Sequence, residues 1–94
     1  MTKPLKQYVI ERDIPGIDQS TPDQLKGAAA HSNEVLSELG DRVKWLQSFV
    51  VKNKTFCIYE AEDEDVIREH ARLSGFPANT ITEVVAGISP KTAG

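Results

Sequence analysis

Hydrophobic residues recur with two different spacings along the chain, and these spacings divide it into six predicted elements. In two longer segments they recur every three or four residues, as they do on one face of a helix. Four shorter segments are rich in β-forming residues and are bounded by turn signals such as Pro15-Gly16, which is typical of strands. The predicted strands cover residues 6–14, 41–51, 55–61 and 80–88, and a hairpin at 52–54 joins the second to the third.

The first predicted helix has a signal at each end. Thr21 suits the N-cap, Pro22 suits the first helical position, and Gln24 completes the pattern of a capping box. Gly40 lies where a left-handed residue would end the helix. The apolar and small residues at helical spacing between these ends predict a buried face made of Leu25, Ala28, Ala29, Ser32, Val35, Leu36 and Leu39.

The second predicted helix runs from about Asp63 to Ser74. Acidic residues fill positions 62–65, where the helix dipole favours negative charge. Gly75 closes the helix, and Pro77 prevents it from resuming.

The predicted order β-α-β-β-α-β is that of a ferredoxin-like α+β fold, a four-stranded antiparallel sheet with two helices on one face. The first and third strands are then the central, adjacent pair. One domain accounts for residues 1–94, with an ordered core at about 6–89.

Both faces of this sheet are predicted to be largely apolar, so we expect a cover for the face without helices. A second copy of the chain is the simplest cover, because like sheets can stack across a two-fold axis. The prediction is a homodimer through the open sheet face, that is, a dimeric α/β barrel. In the second strand, strict alternation places Val43, Trp45, Phe49 and Val51 on one side and Leu46 and Val50 on the other.

Composition and charge exclude several classes of protein. The chain is 39% hydrophobic and 27% charged, which is ordinary for a globular domain, and its net charge is −3. Its lysines are scattered, which argues against nucleic acid as a partner. No apolar run approaches the roughly 20 residues that span a bilayer, so we expect no membrane partner. The start "MTKPLKQY" lacks a signal-peptide pattern, and a cytoplasmic location is expected.

His70 is the most informative residue for function. The second helix turns Val66, Ile67 and Leu73 to one side, and His70 falls in the middle of that side. A buried histidine is either a core residue that bonds a backbone carbonyl or a strand carboxylate, a metal ligand, or a catalytic acid or base. Glu11 and Glu60 lie within the two central strands, and either could pair with His70 if it shares that face.

His31 and Cys57 carry weaker signals. His31 lies at the edge of the first helix's apolar stripe, where a surface histidine is usual. Cys57 is the single cysteine, so it forms no intrachain disulfide, and its place between Phe56 and Ile58 favours an inert buried thiol. A soft metal ligand is the alternative for Cys57. No phosphate loop, HExxH, GxSxG or paired-cysteine zinc pattern is present, so the sequence specifies no reaction and leaves enzymatic activity undecided.

Three stretches of the sequence resemble one family. "YVIERDIPGI", "TFCIYEAEDEDVIREHARLSGFPAN" and the closing "ITEV" resemble small bacterial proteins of ferredoxin-like fold that include a streptomycete nickel-binding protein. The resemblance covers roughly residues 7–89. It implies a dimeric protein, nickel or another divalent metal as the ligand, and no established catalytic activity.

The resemblance also implies candidate metal ligands. His31 and His70 match positions of histidines in the nickel-binding member, and Glu11 matches a histidine that precedes an arginine, here Arg12. Gln47 and Phe76 fall near further histidines that this chain lacks. The implied site is therefore depleted in imidazole, although carboxylate and imidazole both suit nickel.

Three functions stay open from the sequence. The first is a metal-binding dimer that uses His31, His70 and Glu11 with help from Glu60 or Cys57. The second is a small dimeric enzyme or ligand-binding protein, with His70 as acid or base and a pocket lined by Tyr8, Trp45, Phe56 and Tyr59. The third is a protein–protein module that uses the open sheet face.

Overall fold

The computed structural model describes residues 3–94, and its helices and strands follow the predicted order. Three short 3-10 turns, at Ile17–Gln19, Gly40–Arg42 and Pro90–Ala93, lie in the connections and near the C-terminus. The main elements are β1 (Lys6–Asp13), α1 (Pro22–Leu39), β2 (Val43–Val51), β3 (Lys54–Ala61), α2 (Glu64–Ser74) and β4 (Thr80–Glu83).

The four strands form one antiparallel sheet in the order β2-β3-β1-β4. This is the ferredoxin-like α+β arrangement, so the predicted fold class is confirmed. The central strand β1 places Ile10 opposite Cys57 of β3 and Ile81 of β4. None of the helices in residues 3–94 is long and apolar enough to cross a membrane.

The N-terminal signals that predicted α1 act as expected. The hydroxyl of Thr21 accepts the backbone N–H of Gln24 at 3.1 Å, and the Gln24 side chain accepts the backbone N–H of Thr21 at 2.9 Å. This capping box satisfies two donors that the helix itself cannot pair. Gly40 ends the helix with a positive φ of 68° as expected, but its ψ of −145° is outside the left-handed helical region that the sequence predicted, and its N–H donates to the carbonyl of Leu36.

Helix α2 is also capped at both ends. The carboxylate of Asp63 accepts the N–H of Val66 at 3.0 Å, and Gly75 ends the helix in the left-handed conformation. Val66, Ile67 and His70 are fully buried. Leu73, which the sequence placed on the same buried side, is 38% exposed, so that part of the prediction was wrong. The buried face is centred nearer to Ile67 and His70.

A β-bulge in β2 changes the predicted faces of that strand. Trp45 lies opposite Tyr59, whereas Ser48, three residues later, lies opposite Cys57, so the register shifts between Trp45 and Gln47. Because Tyr59 and Cys57 both face the helices, Trp45 and Ser48 do so too, and the indole of Trp45 donates to the Ser48 hydroxyl at 2.9 Å. The prediction that grouped Phe49 and Val51 with Trp45 was therefore wrong. Beyond the bulge, Phe49 and Val51 face away from the helices, at 50% and 40% exposure, and Leu46 within the bulge is 50% exposed.

Strand β4 is shorter than predicted. It covers Thr80–Glu83 rather than 80–88, and its pairing with β1 ends where the Val84 N–H donates to the Gln7 carbonyl at 2.8 Å. Val85 and Ile88 beyond it are 91% and 86% exposed. Within residues 3–94, strand β4 is an edge strand that pairs only with β1, and this pairing covers four residues.

Candidate functional site

A cavity of about 390 Å³ lies between the first half of α1 and the sheet. Its walls come from α1, β2, β3, the end of β1, and the segments that follow β1 and α2. The α1 side is lined by Leu25 and by two short side chains, Ala28 and Ala29, which leave the space against the sheet unfilled. The apolar lining residues are Ile14, Ile17, Leu25, Ala28, Ala29, Trp45, Val50, Phe76 and Pro77, and the polar ones are Arg12, Ser32, Ser48, Thr55, Cys57 and Tyr59.

Arg12 is the only charged residue among the lining residues of this cavity. It extends from β1 toward the helices and is 3% exposed. Its Nη1 donates to the carbonyls of Phe76 and Pro77, at 3.3 and 2.9 Å, and its guanidinium carbon lies 5.8 Å from the ring centroid of Tyr59. Its Nη2 is buried and has no acceptor among the described residues. No carboxylate in residues 3–94 forms an ion pair with Arg12, which is unusual for a buried charge.

Tyr59 lies beside Arg12 in the cavity wall. It is 2% exposed, and burial raises the pKa of its hydroxyl, although the positive charge of Arg12 opposes that rise. Its ring stacks on Trp45 with the centroids 6.5 Å apart and lies 5.6 Å from the ring of His70. Tyr59 therefore connects the cavity wall to the buried histidine.

His70 lies behind this wall and does not line the cavity. Its Nε2 is 3.0 Å from the hydroxyl oxygen of Ser32 on α1, and its Nδ1 is buried with no partner among the described residues. Burial, and after it the positive charge of Arg12, lower the pKa of His70 to about 4. A neutral imidazole is therefore the form present near pH 7. Its partner is a helix hydroxyl rather than the backbone carbonyl or strand carboxylate that the sequence suggested.

The structure contains a pocket between sheet and helices, but only part of the predicted lining belongs to it. Trp45 and Tyr59 line the cavity. Tyr8 is buried in the core, and Phe56 points to the open face because its strand neighbours Thr55 and Cys57 point inward. The sequence did not lead us to expect that Arg12 and Ser32 line the cavity. The pattern did contain a signal for Arg12, which is two residues from Ile10 and so shares its face.

The sheet separates the candidate metal ligands within one chain. His70 and Cys57 lie on the helix side, whereas Glu11 and Glu60 alternate with buried residues and lie on the open face. His31 is exposed on α1, and its Nε2 lies 2.8 Å from the carbonyl oxygen of Ser74. Within residues 3–94, no three His, Cys, Asp or Glu side chains come close enough together to hold a metal ion.

The open sheet face combines apolar residues with an ion pair. The ammonium of Lys54 lies 3.4 Å from the carboxylate of Glu11 and 3.7 Å from that of Asp13. Phe49 lies opposite Phe56 on this face and is half exposed. The carboxylate of Glu11 therefore already pairs with Lys54 of the same sheet. The sheet also lies between this carboxylate and His70.

Comparison with known proteins agrees with this architecture. No curated protein matches the chain. The crystal structure of SCO4226 from Streptomyces coelicolor A3(2) matches with a TM-score of 0.72 and 21% identity, over 87% of this chain and 99% of that one, and this likeness shows the fold. The model of a family described as "Nickel responsive protein SCO4226-like" matches residues 8–84, from β1 to the residue after β4. The chain therefore belongs to the SCO4226-like family of nickel-responsive proteins.

Proposed function

We propose that the protein binds a small organic molecule in the cavity between α1 and the sheet. The observation that carries this proposal is the cavity itself, at about 390 Å³ and with mostly apolar walls. Ligand sites in proteins have volumes of roughly 300–1,000 Å³ and combine apolar walls with a few polar groups. The polar groups here are concentrated on the sheet side, at Arg12, Thr55 and Tyr59.

The surroundings of His70 support binding rather than acid–base catalysis. A general base must reach the proton that it removes, directly or through one water. His70 has no exposed surface, and Ser32 and Tyr59 lie between it and the cavity. Its pKa of about 4 also makes it a weak base at neutral pH. The role that fits this residue is to join α1 to α2 behind the ligand.

A cavity-filling substitution tests this function. Ala29→Phe places a ring in the cavity, and Ala30→Phe places the same ring on the exposed side of α1 as a matched control. The probe is the neutral dye N-phenyl-1-naphthylamine, followed by its own emission and by that of Trp45, the single tryptophan. We expect the parent and Ala30→Phe to bind one dye per chain and Ala29→Phe to bind none. Equal binding by both variants would refute the proposal.

A second candidate function is nickel binding, which membership of a nickel-responsive family supports. Because a carbonyl can only accept, the contact with Ser74 assigns the proton of His31 to Nε2 and leaves a lone pair on Nδ1. Metal-binding histidines are usually held in this way. One chain does not supply three converging ligands among residues 3–94, so the proposed site is an exposed one at His31 and the neighbouring Glu34 on α1, with water in the remaining coordination positions.

Calorimetric titration of nickel into chelator-stripped protein tests the second function. His31→Ala removes the exposed imidazole, and His70→Gln removes the buried one while keeping a neutral polar group. We expect stoichiometric binding that is lost in His31→Ala and retained in His70→Gln. Loss in His70→Gln alone would instead place the metal in the interior. The absence of heat with nickel, zinc and cobalt would rule out this function.

We also propose that the protein is a homodimer through its open sheet face. Leu46, Phe49 and Val51 support this, because large apolar side chains at 40–50% exposure on one face favour a covering surface. Phe49→Glu adds charge to that face, whereas Val85→Glu adds it at an exposed position beyond β4. By light scattering we expect the mass of two chains for the parent and Val85→Glu, and of one chain for Phe49→Glu. A parent with the mass of one chain would exclude the dimer.

A further inference from the structure

We infer that the cavity selects a small monocarboxylate with an apolar body, and that Arg12 is the residue that determines this selection. The inference rests on the proposed ligand-binding function and goes further by naming the class of ligand. It is carried by the charge of the cavity lining, by the unpaired donor of Arg12, and by the placement of the nearby acidic residues.

The first argument is the charge balance of the lining. One arginine lines the cavity, and no aspartate, glutamate or lysine does. Against mostly apolar walls, a ligand that displaces the water from the cavity meets the field of a single, weakly screened cation. An anionic ligand therefore gains from this field, a neutral one does not, and a cationic one is repelled.

The second argument is the hydrogen bonding of Arg12. The carbonyls of Phe76 and Pro77 hold Nη1 and fix the plane of the guanidinium. Nη2 has no acceptor among the described residues, although it is buried. A buried donor without a partner destabilises the protein, and more so when the group is charged. A carboxylate is a planar acceptor whose geometry matches a guanidinium, so one that enters the cavity would neutralise the charge of Arg12, and a small turn of the guanidinium would bring Nη2 to it.

The third argument is the position of the acidic residues on β1. Glu11 and Asp13 flank Arg12 in sequence, but strand alternation turns both of them away from it. Both pair with Lys54, at 3.4 and 3.7 Å. The charge of Arg12 is therefore not neutralised by its sequence neighbours. In keeping with this, the positive charge of Arg12 is the second cause of the low pKa of His70, and burial is the first.

The remaining walls define the rest of the ligand. Leu25, Ala28 and Ala29 on one side and Trp45 and Val50 on the other are apolar. A flat or branched hydrocarbon body between them would bury apolar surface while its carboxylate lies at the Arg12 end. A volume of about 390 Å³ accommodates one small aromatic acid and excludes a long or polymeric ligand.

Three naphthalene compounds of nearly equal shape test the charge selection. They are 2-naphthoate, the neutral 2-naphthamide and the cationic 2-naphthylmethylammonium, each titrated against the fluorescence of Trp45 in the full chain. We expect 2-naphthoate to bind about tenfold or more tightly than the amide, because a hydrogen bond between two charged groups is stronger than one to a neutral amide. The ammonium compound should bind most weakly.

Two variants assign the selection to Arg12. Arg12→Met keeps the length of the side chain and removes its charge, so the preference for naphthoate over naphthamide should fall to near one. Arg12→Lys keeps the charge without the planar donor, so a smaller preference for naphthoate should remain. If Arg12→Met does not unfold cooperatively, it is not a folded protein and its binding is not informative. The Arg12→Lys variant and the order in which the parent binds the three compounds then test the role of Arg12.

The possible outcomes distinguish failure of carboxylate selection by Arg12 from failure of ligand binding in the cavity. If naphthoate and naphthamide bind equally well, the cavity binds ligands but does not select carboxylates, and the inference is overturned. If the carboxylate preference survives in Arg12→Met, another residue is responsible, and the inference is equally overturned. If none of the three compounds binds and N-phenyl-1-naphthylamine does not bind either, the proposed function itself fails.

Discussion

The Nε2 atom of His70 lies 3.0 Å from the hydroxyl oxygen of Ser32, and this contact joins α2 to α1 at the edge of the cavity. Ser32 is 4% exposed and lines the cavity, whereas His70 has no exposed surface. The pair explains why an ionisable ring occupies an apolar stripe. The ring is neutral, it has a partner on the facing helix, and it packs against Tyr59.

Ser32→Ala should destabilise the protein by about 1–3 kcal/mol, because it leaves a buried imidazole nitrogen without a partner. Both ring nitrogens of His70 would then be unpaired, since Nδ1 already has no acceptor or donor among the described residues. Urea unfolding measures the effect. Ser37→Ala is the matched control, because Ser37 is an exposed serine on the same helix whose hydroxyl donates to the Glu34 carbonyl. Equal losses in the two variants would show that the Ser32–His70 contact does not stabilise the fold.

Stability should fall as the pH is lowered from about 6.5 to about 4. His70 has a folded pKa of about 4 against a reference value of 6.5, so the unfolded chain binds a proton that the folded chain does not. The free energy of unfolding therefore falls by at most about 1.4 kcal/mol per pH unit within this window, and His70 contributes no slope above it.

The variant His70→Gln isolates this contribution. It removes the titrating ring and keeps a polar side chain near Ser32, while Arg12 and His31, whose charges also act on His70, stay in place. The difference in urea stability between parent and variant should change between pH 6.5 and 4 and be constant from pH 7 to 8. A difference that does not vary with pH would mean that His70 has an ordinary pKa in the folded protein.

The sequence predicted the elements that local chemistry controls. The capping box at Thr21, the glycine end of α1 at Gly40, the left-handed end of α2 at Gly75 and the acidic start of α2 each depend on residues a few positions apart. Such signals act within one turn of the chain and can be recognised without knowing its neighbours. The strand order followed from the sequence of elements, because the ferredoxin-like connection leaves few alternatives.

The cavity could not be predicted in the same way, because it depends on long-range geometry. The bulge after Trp45 turns Ser48 and Val50 toward the helices, and nothing in the local pattern marks it. The predicted carboxylate–histidine pair failed for a related reason, since the parity of Glu11 and Glu60 within their strands puts the sheet between them and His70. Arg12 was passed over because charged residues are normally exposed, and its burial depends on carbonyls 64 and 65 residues away.

Two glycine-to-alanine substitutions should change stability in opposite directions. Gly75 has a φ of 81° and ends α2, so Gly75→Ala forces a side chain into the left-handed region and should cost about 1–2 kcal/mol. Gly27 lies inside α1 with open space around it, so Gly27→Ala should stabilise by up to about 1 kcal/mol. Urea unfolding of both variants measures these changes. If Gly75→Ala has no cost, α2 does not end in the left-handed turn described here.

Cys57 should report occupancy of the cavity through its reactivity. Its thiol lines the cavity, is 5% exposed, and lies 3.6 Å from the Thr55 hydroxyl. A disulfide reagent such as dithionitrobenzoate should react with it far more slowly in the folded protein than in urea, because the thiol must first become accessible. Saturating 2-naphthoate should slow the reaction several-fold more, because it occupies the cavity that Cys57 lines. The chain has a single cysteine, so the absorbance change reports this thiol alone.

A Cys57→Ser, Ala30→Cys double variant moves the thiol to the exposed side of α1 and should react quickly, at a rate that naphthoate leaves unchanged. Protection of both thiols would indicate that naphthoate interferes with the reagent itself, and protection of neither would place the ligand outside the cavity.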